Sequence, residues 1–175
     1  MCIRDRIDET VDLIRSRGGT AMGYSADMTK RASVAEAVAA VKKELGAPDI
    51  AISCVMENTP GDFEDVTDED FERYFIVYAM SVVYLAREVI PDMKTKGWGR
   101  FVAIGSSTAK EPEGHIQHML ANTCRPAAVG FMKTLSDEVA KYGITCNTVA
   151  PGWIGTDNMF SYLENKVGIT PDKVD

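Results

Sequence analysis

The chain predicts a doubly wound α/β fold: a parallel sheet in a Rossmann-like three-layer αβα arrangement. Three observations predict it. Short apolar runs alternate with amphipathic helical stretches along the whole chain, without an internal repeat or linker. The runs Ile50-Ala51-Ile52 and Phe101-Val102-Ala103-Ile104 are apolar enough for the interior of a parallel sheet. Strand, crossover helix, strand is legible from Gly99 to Thr156, and in such sheets ligands sit at the carboxyl ends of the strands.

Taken in order, Met1 to Arg6 carries no pattern, and one partial domain spans 7–175. Ile7 to Arg17 is a helix with Ile7, Val11 and Ile14 on one face, stopped by Gly18-Gly19. Thr20 to Ala26 reads as a short strand ending at Asp27. Ser33 with Glu36 forms a capping box that opens a second helix, whose stripe is Val34, Ala37, Val38, Val41 and Leu45. Asp49 to Val55 is a strand placed centrally in the sheet. After a loop through Pro60-Gly61, Thr67 and Asp70 form another capping box, opening a long helix toward Met93.

Gly97-Trp98-Gly99 turns the chain into the strand Phe101–Ile104, which closes on Gly105-Ser106-Ser107. A loop carrying His115 and His118 follows. Leu120, Ala127, Ala128, Phe131, Leu135 and Val139 then keep helical spacing, up to Lys141-Tyr142-Gly143. Pro126 conflicts with that helix, because an interior proline costs about 3 kcal/mol. The expectation is therefore a start near Asn122 or a kink. Thr145 to Ala150 is the next strand, closed by Pro151-Gly152, and the tail is weakly helical around Met159 to Lys166.

Composition narrows the class. At 175 residues the chain is one domain, and a net charge of −7 with no basic block argues against a nucleic-acid partner. No apolar run approaches the roughly 20 residues of a membrane span, and no signal peptide opens the chain, so the expected location is the cytoplasm. The four cysteines include no C-x-x-C pair, Cys54 and Cys146 read as strand-interior hydrophobes, and no metal site is expected. The methionines and Phe71, Phe75 and Phe131 read as core.

An ordered set of motifs goes further. It comprises A-D-M-T at 26–29, P-D-I-A-I at 48–52, F-E-D-V-T-D-E-D-F at 63–71, I-P-D-M at 90–93, G-R-F-V-A-I-G-S-S at 99–107 and Y-G-I-T-C-N-T-V-A-P-G-W-I-G-T at 142–156. Together they resemble the middle of a short-chain dehydrogenase/reductase. That resemblance implies hydride transfer between NAD or NADP and a small carbonyl or alcohol, such as a 3-oxoacyl group.

It also implies site residues. Asp27 and Met28 would approach the adenine, Ser53, Cys54 and Val55 stand where the family has N-N-A, and Pro151, Gly152, Ile154 and Thr156 match the turn that holds the nicotinamide carboxamide. Ser106 is the family's serine. The Tyr-x-x-x-Lys pair falls on Ala121 and Arg125. An alanine cannot transfer a proton, whereas arginine keeps the charge and can bond a ribose. Leu120-Ala121-Asn122-Thr123-Cys124-Arg125 is similar to divergent members carrying leucine, asparagine and arginine there.

His118, three residues before Ala121, is an alternative acid. Tyr78 replaces the helix asparagine and reads as packing. The glycine-rich phosphate loop and the strand-end residue that selects NAD from NADP lie outside the matched stretch. The chain thus reads as truncated at both ends, its sheet incomplete. The resemblance implies a homo-oligomer through helices about 67–96 and 120–141, with Ala79, Ser81, Ala127, Ala128 and Gly130 permitting close approach. A catalytically degenerate subunit of the same fold is the alternative.

Overall fold

The computed structural model describes residues 3–57, 61–112, 118–162 and 164–165. Pro60, His115 and the tail from Lys166 lie outside the described residues. The elements are α1 (Ile3–Ser16), α2 (Arg31–Leu45), β1 (Ile50–Ser53), α3 (Asp68–Phe75), a π-helical turn (Ile76–Met80), α4 (Ser81–Lys96), β2 (Gly99–Ile104), α5 (Met119–Val139), β3 (Ile144–Val149) and α6 (Asp157–Tyr162). The three strands are parallel in the order β1-β2-β3, with Ile52 beside Val102 and Val102 beside Asn147.

Strand alternation divides the sheet into two faces. Ala51, Ser53, Phe101, Ala103, Ile144 and Cys146 point to one and are buried. Against them pack Val34 and Val38 of α2, Val82, Ala86, Val89, Ile90 and Met93 of α4, and Met132 and Val139 of α5. A second cluster joins Tyr74, Val77 and Tyr78 to Leu120, Ala121 and Cys124. On the opposite face Ile50 and Ile52 remain 56% and 60% exposed.

The Thr67 capping box forms as its sequence demands. Thr67 Oγ1 accepts from the Asp70 N–H at 3.2 Å, and Asp70 accepts from the Thr67 N–H at 3.0 Å. Gly143 ends the short 3₁₀ turn after α5 at φ 71°, and a Cβ there would stand 2.4 Å from the Gly97 carbonyl oxygen. Only glycine meets both conditions.

Several expectations change. Helix α1 starts at Ile3, inside the stretch that looked patternless. Thr20 to Ala26 is no strand. No other strand lies beside it among the described residues, and its Ala21 carbonyl accepts from Arg15 at 3.2 and 2.9 Å instead. The Ser33 box does not form either: α2 begins at Arg31, and the Ser33 hydroxyl accepts from the Asp27 N–H at 2.9 Å. β1 is an edge strand among the described residues rather than a central one. Cys54 lies just past its end and is exposed, as are Phe75, Met56 and Met119.

Pro126 stands as the eighth residue of an unbroken α5. The first two turns of that helix are pinned by burial of Leu120, Ala121 and Cys124, which offsets the local cost. Residues 68–96 form one helical rod that is long and apolar enough by composition to cross a membrane. Its apolar stripe, however, is the one packed on the sheet, which accounts for its hydropathy.

Candidate active site

The carboxyl ends of the three strands place Ser53, Ile104-Gly105-Ser106 and Val149 at one edge. Parallel register brings them there together, and the Gly105 N–H donates to the Val149 carbonyl at 2.8 Å while the Ser107 N–H donates to that of Pro151 at 2.9 Å. Glycine at 105 allows this approach, since a Cβ would meet the Thr148 methyl at 3.1 Å. A recess there is lined by Ser53, Val55, Tyr78, Gly105, Arg125 and Thr148 among others. The room at its floor is about 20 Å³, enough for one water, so a larger ligand meets it from the mouth.

Arg125, partly buried on α5, is the hub. One terminal nitrogen of its guanidinium donates to Thr108 Oγ1 at 3.2 Å and the other to the Tyr78 hydroxyl at 3.3 Å. The cation also lies 4.9 Å from the Tyr78 ring centroid, a cation–π contact. The Thr108 hydroxyl donates to Ser106 Oγ at 3.1 Å, and the Thr108 N–H donates to the same oxygen at 3.3 Å. Tyr78 donates to the Glu57 backbone carbonyl and accepts from the Glu57 N–H at 3.3 Å.

Donors and acceptors then balance with one hydroxyl proton over. Tyr78 has given its proton to Glu57, and Thr108 has given its own to Ser106. Ser106 accepts twice and donates to none of these partners. Its O–H is the one hydroxyl proton of the network left to a ligand. Arg125 heads the chain, so its charge polarises Thr108 and, through it, Ser106.

Ala121 is 3% exposed and packed in the cluster that holds Tyr78, so the position where the family has tyrosine is a sealed apolar contact. His118 precedes α5, bridges to Gly61 and takes no part in the Ser106 network. Asp27 stands apart at the start of α2. Thr29 donates to it through its hydroxyl at 2.6 Å and its N–H at 3.0 Å, and Lys30 lies 3.1 Å away. The Thr29 hydroxyl, then its amide, then Lys30 hold the Asp27 carboxyl down at about 2. Met28 packs on the core.

Burial pushes the Cys124 and Cys146 thiols up, away from nucleophilic chemistry. Gly152 and Ile154 are exposed beyond β3, and Thr156 accepts from the Met159 N–H at 3.3 Å as α6 begins. Sequence reasoning missed Thr108 and the anchoring role of Tyr78. The signal for Thr108 was its place two residues after Ser106, where a serine side chain turns back on the backbone.

Comparison with known proteins completes the picture. The family described as short chain dehydrogenase matches residues 3–166. A 2,3-dihydro-2,3-dihydroxybenzoate dehydrogenase of Bacillus subtilis (strain 168) is 29% identical over 164 residues, covering 94% of this chain and 62% of that protein. A D-beta-hydroxybutyrate dehydrogenase of Rhizobium meliloti (strain 1021) is 30% identical over 175 residues, covering 98% and 66%. The chain thus spans a little under two thirds of the length of these curated relatives. The L-sorbose reductase of Gluconobacter frateurii, crystallised with NADPH and L-sorbose, superimposes with a TM-score of 0.86 at 25% identity, covering 95% of this chain and 63% of that one. With its strand-end site, its parallel sheet and this match along nearly its whole length, the chain belongs to the short-chain dehydrogenase family.

Proposed function

We propose that the protein is an oxidoreductase that interconverts a small carbonyl compound and its alcohol with NAD or NADP. The observation that carries this reading is the uncommitted Ser106 proton at the mouth of the sheet, backed through Thr108 by a permanent cation.

The residues present fit the nicotinamide half of a dinucleotide. Ser53 at the end of β1 and Val55 just past it border the recess, Cys54 between them is exposed, Pro151, Gly152, Ile154 and Thr156 form an open segment beyond β3, and Asp27 and Met28 precede α2. When bound, the dinucleotide supplies or accepts the hydride. The chain's own residues do the rest. Ser106 donates to the substrate oxygen and stabilises the charge that grows there. Arg125 strengthens that donor through Thr108 and retains N–H groups for a ribose or for substrate. Tyr78 fixes the guanidinium by hydrogen bond and ring contact.

The test is titration of the purified protein with NAD(H) and NADP(H), followed by nicotinamide absorbance with a panel of ketones and alcohols. Absence of both binding and turnover would remove the reading. One observation favours a second reading, a non-catalytic subunit with the same fold: Ala121 is sealed and Tyr78 has no free proton. Dinucleotide binding without turnover would select it.

We also place the protein in the cytoplasm as a homo-oligomer. Ala79 and Ser81 cannot serve its interface, since both are buried within the protomer, but Ala127, Ala128 and the open Gly130 on α5 can. Light scattering on Gly130→Trp, with loss of the oligomer expected, tests the interface.

A further inference from the structure

We propose that Ser106 and Arg125 form a subsite for a carboxylate, and that the substrate is a small oxo acid or its hydroxy acid. The substrate assignment rests on the oxidoreductase reading; the subsite itself does not.

The argument begins with charge. Four ion pairs are formed among the described residues: Lys30 with Asp27, Lys42 with Asp92, Arg73 with Glu57, and Lys96 with Asp49. Arg125 is in none of them. The acidic residue that borders its network, Glu57, turns its carboxylate to Arg73 at 2.5 Å and offers Tyr78 only backbone. Arg125 is therefore a partly buried cation whose polar partners are two neutral hydroxyls. A cation withdrawn from water without a counter-charge is unfavourable, and an anion delivered to it is correspondingly held.

Hydrogen-bond inventory then says what kind of ligand fits. A guanidinium has five N–H groups, and two point to Thr108 and Tyr78, leaving three. Ser106 contributes its free O–H, both of its acceptor sites being taken by Thr108. Ser106 Oγ and a terminal nitrogen of Arg125 share one Thr108 hydroxyl, 3.1 and 3.2 Å from it, so the two lie no more than 6.3 Å apart, within the span of a small oxo acid. What they present is donors only, with a net positive charge. A sugar hydroxyl can accept from this pair, but its own proton finds no acceptor there and it brings no charge to meet the cation. A carboxylate accepts only, and its two oxygens match the planar fork of arginine. An oxo acid uses the whole set, with its carboxylate on Arg125 and its carbonyl oxygen on Ser106.

With a reduced dinucleotide bound, hydride would be supplied to the carbonyl carbon as the carbonyl π pair moves onto oxygen, while Arg125 holds the carboxylate and Ser106 the oxygen. That oxygen takes a proton from water, with Ser106 donating to it throughout. The products are the hydroxy acid and the oxidised dinucleotide.

Binding can be read without turnover by titrating the protein with oxamate, a carboxylate beside an amide carbonyl, and with oxamide, its neutral isostere. Oxamate is expected to bind about ten- to a hundredfold tighter than oxamide. Arg125→Gln should abolish that preference, and Arg125→Lys, which keeps charge but not the fork, should keep part of it. If Arg125→Gln fails to fold by circular dichroism, Arg125→Lys alone decides: an undiminished preference refutes the fork.

Equal affinity for the two ligands, no binding of oxamate, or a preference that survives Arg125→Gln overturns the subsite. Repeating the titration with saturating NAD⁺ or NADP⁺ separates the sources of the anion. Competition with oxamate would assign Arg125 to the dinucleotide's ribose or phosphate and overturn the proposal, while undiminished binding supports it. Turnover of ketones together with no binding of oxamate would sink the subsite alone. Oxamate binding without any turnover would sink the oxidoreductase reading alone.

Discussion

The two faces of the sheet are made from the same strands and have opposite fates. On one, Phe101, Ala103, Ile144 and Cys146 lie under α2, α4 and α5 and are 7% exposed or less. On the other, register sets Ile50 beside Arg100, Ile52 beside Val102 and Val149 beside Ile104, and Ile50, Ile52 and Val149 are 51–60% exposed. The residues do not differ in kind; both faces carry isoleucine and alternate along one backbone. Apolarity in a parallel strand thus states what a face can bury, and the neighbouring elements decide whether it does. The candidate site follows the packed face. Ser53, Tyr78 and Arg125 are presented by the helix-covered side.

The contrast can be broken most strongly by cutting into the packed side. Phe101→Ala, at a residue with no exposure, is expected to lower stability by about 3–5 kcal/mol in urea unfolding. At the site, Ser106→Ala is expected to reduce kcat by about a hundredfold or more with the fold unchanged by circular dichroism. A Ser106→Ala enzyme with wild-type kcat would show that the free proton is not used.

Thr67→Ala removes the cap that starts the rod beneath the packed face, and should cost about 1 kcal/mol of stability. On the bare face Ile52→Thr should stay within about 0.5 kcal/mol of wild type, and a loss near that of Phe101→Ala would show that this face is covered in solution. The smallest effect concerns Asp27, exposed at the start of α2. Its carboxyl is held at about 2, below the ordinary value near 3.9, so its contribution is complete above about pH 4 and fades as pH falls toward 2. Carboxyl NMR should place its midpoint near 2 in the wild type and higher in Thr29→Ala.

Much of the fold was legible because its signals are local. The Thr67–Asp70 box, the glycines after α4 and α5 and the apolar strands are each set by nearest neighbours along the chain. Thr20–Ala26 misled because strand pattern is only half of a strand; without a ladder its carbonyls took Arg15 as donor. Ser33 misled in a related way, since a capping residue binds whichever N–H the turn presents, here that of Asp27. Pro126 misled because a 3 kcal/mol local cost is outweighed by burying one face of two turns. For the candidate site, Ser106 and Arg125 are what the family resemblance implies, whereas Thr108 and Tyr78 join them through hydrogen bonds across 17 and 47 residues of chain. No local pattern contains those distances.

The π-helical turn at Ile76–Met80 has a consequence for how this rod tolerates insertion and deletion. There the Ser81 N–H bonds to the Ile76 carbonyl, five residues back, so the rod carries one residue more than a regular helix needs between its ends. Each residue of helix is about 100° of rotation. Deleting one codon within 76–80 would let the turn relax to an α-helix with both ends of the rod still on the core, while turning the Tyr78 position off Arg125. Loss of a single residue here would therefore spare the scaffold and dismantle the site, an outcome no substitution table would anticipate.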